Sequence, residues 1–499
     1  MSAVKKFFAP MRMSLTSALV ISVCVVDSVT IAYDGSLMGS LNVMPSYNKY
    51  FEISSRTQGI MSGATFAGAC VVAPMTSKLI NYKGRKLGIL ISALMNILGA
   101  ALGGAAQNMP MFIAARVIVG MGVGIAQTSA ASYVSETTAP DIRGFALGMY
   151  FTCWALGSFL ATGVCRGATN LEPSNWAWRL PSLLQGAIPC MVICVLFFVP
   201  ESPRWLCYSG REEEALQSLE LVTGAHRDSP VVQAQLREII DTLEYERTFS
   251  HGIDFRETFR TPANRRRVLL AVSVGPLAML TGSNVITYYF GTMLSQAGIT
   301  SETKQLEINL GLSAWQFIAA LTGSLLADRI GRRGLALISL GTCTIFFYIL
   351  GGLTAAYGES ENKPGVYATV ATIYLYLGAY SFGITPLTSM YGPEVLSYSI
   401  RASGIACYAV GSELSGFFVT MVFPIMFDNI GWRTYMINAS WNVLLWIFVY
   451  FMWVETKGLT LEEVSEIFDG QKHSTPPDLA EIQDKEAGIV ITTSATDMA

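Results

Sequence analysis

Residues 15–37 read LTSALVISVCVVDSVTIAYDGSL. About 20 mostly apolar residues suffice for a helix to cross the hydrocarbon core of a bilayer, and this run exceeds that. Only Asp27 and Asp34 interrupt it with charge, two helical turns apart, so both carboxylates share one face. Lys5, Lys6 and Arg12 precede the run, which is read as a retained span and not a cleaved leader.

The same pattern recurs along the chain. Further predicted spans are Thr57–Leu79, Leu87–Ala106, Met111–Tyr133, Phe145–Cys165 and Leu180–Val199. After a polar stretch come Leu269–Met293, Ile308–Leu326, Leu335–Tyr357, Val366–Met390, Ile405–Met426 and Tyr435–Val454. The expected fold is all-α and membrane-embedded, with twelve transmembrane helices. Composition agrees: 52% of residues are hydrophobic and 14% charged, against about a quarter charged in soluble domains. Mean hydropathy is +0.43. A formal charge of −3 suggests no nucleic-acid partner. His226, His251 and His473 all fall in polar stretches, which argues against a histidine relay within the membrane. Cys24, Cys70, Cys190, Cys194 and Cys343 sit inside apolar runs, without disulfide or zinc spacing, and are expected to be small core residues.

Lys and Arg cluster at alternate connections. Lys83, Arg85 and Lys86 follow span two, Arg143 span four, Arg265–Arg267 the central stretch, Arg329, Arg332 and Arg333 span eight, and Arg401 span ten. The positive-inside rule then puts both termini in the cytoplasm. The halves also repeat each other. Gly84-Arg85-Lys86 returns as Gly331-Arg332-Arg333, Glu136 with Arg143 as Glu394 with Arg401, and Glu201 as Glu455, each about 250 residues on. Two pseudo-symmetric six-helix bundles follow, over 15–199 and 268–454. Between them, 200–267 is read as an acidic helical cytoplasmic cap. Residues 1–14 form a short cytoplasmic segment and 455–499 a cytoplasmic tail, read as polar and disordered after Glu466.

A charge inside the bilayer costs about 2.5–3.5 kcal/mol on insertion scales. Asp27, Asp34, Arg116 and Glu413 fall at such positions and are functional candidates. No metal cluster, nucleophile–base pair or phosphate loop is evident, so neither an enzyme, a metal nor a cofactor is expected.

Several strings together carry a resemblance: AYDGSLMG in span one, KGRK after span two, RVIVGMGVGIAQTSAASYVSETTAPDIRG through span four and PESPRWL after span six. GSNVITYY in span seven, DRIGRR after span eight, YGPEV and RASG after span ten, and VETKGLTLEE at the end continue it. In order and spacing the chain resembles the sugar porter family of the major facilitator superfamily, and the strings AYDGSLMG, YFTCWALGS, WRLPSLLQ and PEVLSYSIRASG look most like its fungal lactose-permease-like branch. The resemblance implies alternating access by a monomer in the plasma membrane, with a sugar-like substrate, a proton and membrane lipid as its partners. It implies that Asp34 and Arg116 couple the proton, a structural ion pair being the alternative. Asn284 and Gln316 match amides that contact sugar. Glu413 stands where an amide is usual, as a substrate contact or a structural pair. Trp154 is a stacking face for the sugar or an interior packing residue, and Ser158 replaces a span-five glutamine. Tyr288 and Tyr289 match an outer gate. Arg85, Glu136, Arg143, Arg332, Glu394 and Arg401 match a cytoplasmic gate network, or serve plain positive-inside topology. Ala278 and Met279 replace paired glutamines, Ser389 a tryptophan, and Asn81-Tyr82 an Asp-Arg pair. The scaffold is therefore kept while the sugar pocket is altered. A glycoside, organic acid or secondary metabolite, moved inward or outward, is the alternative cargo. A non-transporting nutrient receptor is a further one.

Overall fold

In the computed structural model, the described residues are 14–138, 153–249, 258–358, 362–397 and 400–457, with 146, 149, 150, 464, 467 and 468. Eleven helices among them are long and apolar enough to cross a membrane. The remaining expected span, the fifth, is described from Trp154 to Ala168.

Helix ends follow capping chemistry more closely than they follow the apolar runs. Span one is Leu15–Leu41, opened by the Ser14 hydroxyl accepting the Ser17 N–H. Ser54 and Thr57 form a reciprocal box at the start of span two, Ser55–Lys83. Span three is Arg85–Gly104, and span four, Met109–Thr137, begins where Asn108 Oδ1 accepts the Met111 N–H. Spans eight to twelve are Glu302–Ile330, Arg332–Tyr357, Lys363–Val395, Arg401–Ile430 and Arg433–Met452.

Two spans expected to be continuous are broken. Span six is Trp176–Leu184 followed by Ala187–Leu196, interrupted at Gln185-Gly186. Span seven is Pro262–Leu280 followed by Ser283–Gln296, interrupted at Thr281-Gly282. A break inside a bilayer frees backbone carbonyls, which must find other partners. At the span-seven break they do. The Ala278 carbonyl accepts from the Tyr380 hydroxyl, Leu280 from Asn438, and Thr281 from both Tyr376 and Asn442. Gly282 turns the chain at φ +117°, and a Cβ there would stand 2.5 Å from Asn438 Oδ1 and 2.6 Å from the Phe347 ring. Only glycine satisfies both conditions.

The packing obeys a two-fold exchange. In the first half, spans two and three pack on four, and one on five and six; in the second, eight and nine pack on ten, and seven on eleven. Spans one with seven, two with eleven, and five with eight join the halves. Exchanging the halves turns the second of these pairs into the third, which is the pseudo-symmetry the repeated motifs imply.

Span one starts at the end carrying the basic clusters, so its second half approaches the opposite, far end. Several described contacts between halves lie there, and others, such as Phe66 of span two against Gly416 of span eleven, lie at mid-depth. Asn42 donates to the Tyr288 carbonyl at 3.1 Å. Gly59 and Gly63, in the first turns of span two, lie against Thr420 and Met421 of span eleven. Arg166, late in span five, pairs with Glu307, early in span eight, at 2.9 Å. The large apolar core follows the same depth, joining Leu37, Phe51 and Trp178 with Tyr289, Phe290 and Phe427. Nearer the basic end, Val20, Val23, Tyr133 and Leu196 cluster within the first half alone. Among the described residues, the halves are thus held together at the far end and at mid-depth.

The 200–267 stretch contains helices Pro203–Tyr208, Glu212–Thr223 and Pro230–Phe249, packed around Trp205, Leu206, Leu219 and Leu236. The cysteine expectation needs correcting. Cys24, Cys165 and Cys343 are buried, but Cys190 and Cys194 are exposed on span six. A thiol is as compatible with a lipid-facing surface as with a core.

Candidate functional site

Asp34 and Arg116 are brought together inside the membrane, 2% and 3% exposed. Arg116 Nη1 donates to Asp34 Oδ1 and Nη2 to Oδ2, the latter at 3.0 Å, a two-pronged pair. A third partner comes from the break in span six, where Gln185 Nε2 donates to Asp34 Oδ1 at 2.6 Å. Gln185 was not singled out from sequence. Its only signal is an amide in an otherwise apolar run, beside a glycine. One carboxylate therefore ties spans one, four and six together. Removing one member of such a buried pair typically costs about 3–5 kcal/mol, because the other charge stays buried.

The second half reaches the same place. A Cβ on Gly35 would lie 3.7 Å from the Tyr288 hydroxyl, so Tyr288 touches span one beside Asp34. Asn284 and Tyr288 share a face of the second piece of span seven, one turn apart. Asn284 donates toward the Met279 thioether at 2.9 Å, so Met279 is in contact with the expected site. The Tyr288 ring packs on Phe66 of span two, with centroids 5.9 Å apart. Tyr289 is buried and donates to the Thr420 carbonyl at 2.7 Å. Both tyrosines thus sit in the far-end closure.

The other expected contacts are spread around this centre. Glu413 is 7% exposed, with Tyr288, Tyr408 and Cys70 close enough to feel its charge. Gln316 is half-buried on the face of span eight shared with Leu312, Ala319 and Ala320. Ser158 is buried, and Trp154 lies one turn before it on the same face, 43% exposed. Asp27 is buried, and among the described residues its Oδ2 has no hydrogen-bond partner. The Ser389 side chain lies outside the described residues.

At the basic end, the repeat becomes two matching networks. Arg85 Nη2 donates to Glu136 Oε1 at 2.8 Å, and Glu136 Oε2 accepts from the Ser202 hydroxyl at 2.5 Å. In the second half Arg332 Nη2 donates to Glu394 Oε1 at 2.9 Å, and Glu394 Oε2 accepts from the Thr456 hydroxyl at 2.5 Å. Glu201 accepts the backbone N–H groups of Arg85, Lys86 and Ser202. Glu455 accepts those of Arg332, Arg333, Thr456 and Lys457. Burial pushes the Glu201 carboxyl above the usual carboxylate range, and the backbone donors oppose that shift. Gly84 and Gly331, at φ +101° and +96°, bring each helix start onto its glutamate. The sequence comparison of halves found Glu201 and Glu455 as repeat landmarks but gave them no place in the site. These described pairs stay within one half. Arg143 lies outside the described residues, as does the side chain of Arg401.

The family model described as "Sugar (and other) transporter" matches residues 20–468. The chain belongs to that family. Among relatives of this sugar porter, a probable quinate permease of Aspergillus flavus is 28% identical over 478 residues, covering 91% of this chain and 88% of that protein. The high-affinity glucose transporter of Kluyveromyces lactis is 29% identical, covering 89% of this chain and 83% of that one. Among solved structures, a partially occluded inward-open form of the Escherichia coli xylose transporter XylE aligns with a TM-score of 0.75. It is 20% identical, covering 90% of this chain and 100% of that chain. The XylE proton:xylose symporter bound to 6-bromo-6-deoxy-D-glucose aligns at 0.74, with 21% identity and 91% and 99% coverage. At these identities the likeness establishes the major facilitator fold. The family match agrees with a transport function and a multi-pass membrane location.

Proposed function

We propose that this chain imports a sugar or related polyhydroxy compound together with a proton, by alternating access between its two halves. Both termini face the cytoplasm, the protein acts as a monomer, and the plasma membrane is its site. On that orientation the far end is outside, and the structure is an inward-facing state. The observation that carries the reading is the buried Asp34 carboxylate, held by Arg116 and Gln185 and adjoined by Tyr288 from the other half.

Ionised Asp34 holds spans one, four and six in one arrangement. A proton on Asp34 removes the charge that Arg116 and Gln185 grip, and loosens that arrangement. Because Tyr288 abuts span one at Gly35, the change is passed to the broken span seven, where Tyr288 and Tyr289 belong to the outer seal. Substrate sits between the halves, contacted by Asn284, Gln316, Glu413, Ser158 and Trp154. When the outer end opens, the two basic-end networks are brought together and close the inner side. No covalent step is needed. A ligand that favours one state by a few kcal/mol is enough to drive such a cycle.

Uptake into proteoliposomes of purified protein tests this. With acid outside, labelled glucose or xylose is expected to accumulate above its external concentration and to leak away when a protonophore is added. Accumulation that ignores the protonophore would refute proton coupling. An organic-acid carrier is the second reading, because quinate permeases and glucose transporters lie at similar identity to this chain. Quinate accumulation without sugar uptake would favour it.

A further inference from the structure

The geometry points to a binding site for an anionic phospholipid of the cytoplasmic leaflet, in a cavity between spans three and six and the helical cap. This goes beyond the transport reading and takes from it only the cytoplasmic placing of the basic end.

A cavity of about 500 Å³ lies where the basic ends of spans three and six meet the cap helices Pro203–Tyr208 and Glu212–Thr223. Sites that hold a small molecule run to roughly 300–1,000 Å³. Its walls are of two kinds. Leu87 and Leu90, one turn apart on span three, face Ile193 and Phe197 at the end of span six. Phe197 is 77% exposed, and at the end of a span such a ring faces lipid, so an acyl chain can enter from this side. Lys83, Lys86 and Arg211 line the side toward the cap. A cavity that is apolar toward the bilayer and basic toward the cytoplasm fits a phospholipid. The phosphate sits among the lysines, and a chain lies along the two spans.

The cations are not all spoken for. Arg211 is balanced by Glu214, whose Oε1 accepts from Arg211 Nε at 2.7 Å. Glu201 also lines the cavity, but its oxygens accept the backbone N–H groups of Arg85, Lys86 and Ser202. Lys86 Nζ donates to the Val199 carbonyl at 2.7 Å, which anchors it and uses one of its three protons. Lys83 has no carboxylate partner among the described residues and lies 6.0 Å from the centre of the Tyr82 ring. Lys83, Lys86 and Arg211 against Glu201 and Glu214 leave one positive charge in excess, which favours an anionic headgroup over a zwitterionic one. The frame is tied in place. The Trp205 indole N–H donates to the Asn81 carbonyl at 2.9 Å, and the Ser218 hydroxyl to the Glu201 carbonyl at 2.8 Å.

The second half shows that the scaffold alone does not call for this site. With Gly84 matched to Gly331 and Glu201 to Glu455, Lys83 corresponds to Ile330, Lys86 to Arg333 and Leu196 to Tyr450. Arg333 donates to the Tyr450 carbonyl at 2.5 Å and lies over the Tyr450 ring, 5.3 Å from its centre, and that ring stacks on Trp446. There an aromatic ring covers the cation, and the counterpart of Lys83 is apolar. In the first half the smaller Leu196 leaves the space open, and the cap roofs it.

Native mass spectrometry of the full chain in mild detergent tests the site, with phosphatidylserine and phosphatidylcholine of matched chains supplied in equal amounts. Lys83→Glu reverses the unpaired charge. Leu90→Trp fills the apolar wall and keeps every charge. Lys78→Glu, exposed on the same span but outside the cavity, is the control. Wild type is expected to retain phosphatidylserine over phosphatidylcholine by at least about fivefold, the effect of roughly one lysine at an anionic surface. Lys83→Glu and Leu90→Trp should each lose most of that preference, and Lys78→Glu should keep it. Glycerophosphoserine, the same headgroup without chains, should not displace the lipid at equal concentration. Equal retention of the two lipids by wild type would overturn the site, as would an unchanged preference in Lys83→Glu or in Leu90→Trp. An equal loss in Lys78→Glu would reduce it to surface attraction, and displacement by glycerophosphoserine to a site for free phosphate esters; either overturns it. If a variant fails to fold, the wild-type preference and the headgroup competition decide. No substrate or gradient enters, so this result is independent of the transport reading.

Discussion

Gly39 offers a way to push the molecule out of the state described here. It lies late in span one, facing span seven, and a Cβ built on it would stand 1.9 Å from the Thr287 carbonyl oxygen. Carbon–oxygen contacts settle near 3.3 Å, so Gly39→Ala requires the two helices to part by roughly 1.4 Å. The obstacle is backbone and cannot swing aside. Overpacking of this kind costs about 1–3 kcal/mol. The contact exists only while the halves are shut at the far end, so the cost falls on this conformation and not on one open there. A bias of that size shifts the equilibrium about 5- to 150-fold. Spin labels at Glu52 and Ser301, exposed at the far end of opposite halves, report the change as a distance distribution in nanodiscs. Gly39→Ala should move population toward the longer distance. Gly167→Ala is the control, because nothing lies within 4 Å of its added Cβ. Equal distributions for the two variants would refute the far-end closure as a gate.

Three further outcomes are expected. Arg116→Leu strands the Asp34 carboxylate in the membrane and should cost about 3–5 kcal/mol, read as a lower Tm in detergent; Asp34→Asn in the same chain should restore part of it. Gln185→Leu removes a hydrogen bond to a charged group, worth about 1.5–3 kcal/mol, and should lower both Tm and transport rate, by less than Arg116→Leu does. Gly84→Ala and Gly331→Ala each press a Cβ within 3 Å of a glutamate oxygen at a positive φ. They should destabilise by similar amounts, at least about 1 kcal/mol each, and an effect confined to one of them would break the functional equivalence of the halves.

The span pattern and the repeat were legible because the bilayer imposes them. Apolar length and basic clustering are properties of a single chain, and they needed no partner to be read. Asp34 and Arg116 were legible for the same reason, as charges where charge is costly. What escaped was set by geometry between segments. Span six breaks at Gln185, yet Gly186 beside it differs little in sequence from the many glycines that only allow close packing. The break in span seven depends on Tyr376, Tyr380, Asn438 and Asn442, which come from spans ten and twelve to satisfy its carbonyls. The doubled Glu201 and Glu455 show the same limit. Their recurrence marked them, but only the fold reveals that each collects backbone N–H groups at the start of another helix.

Asp34 remains the point on which the account turns. The most direct measurement compares wild type and Asp34→Asn in proteoliposomes by two assays on one preparation, sugar accumulation driven by external acid and sugar exchange at equal pH on both sides. Wild type should do both. Asp34→Asn keeps a neutral side chain of the same shape, so it should still exchange sugar but fail to concentrate it. An Asp34→Asn protein that accumulates sugar against its gradient as wild type does would contradict the coupling role.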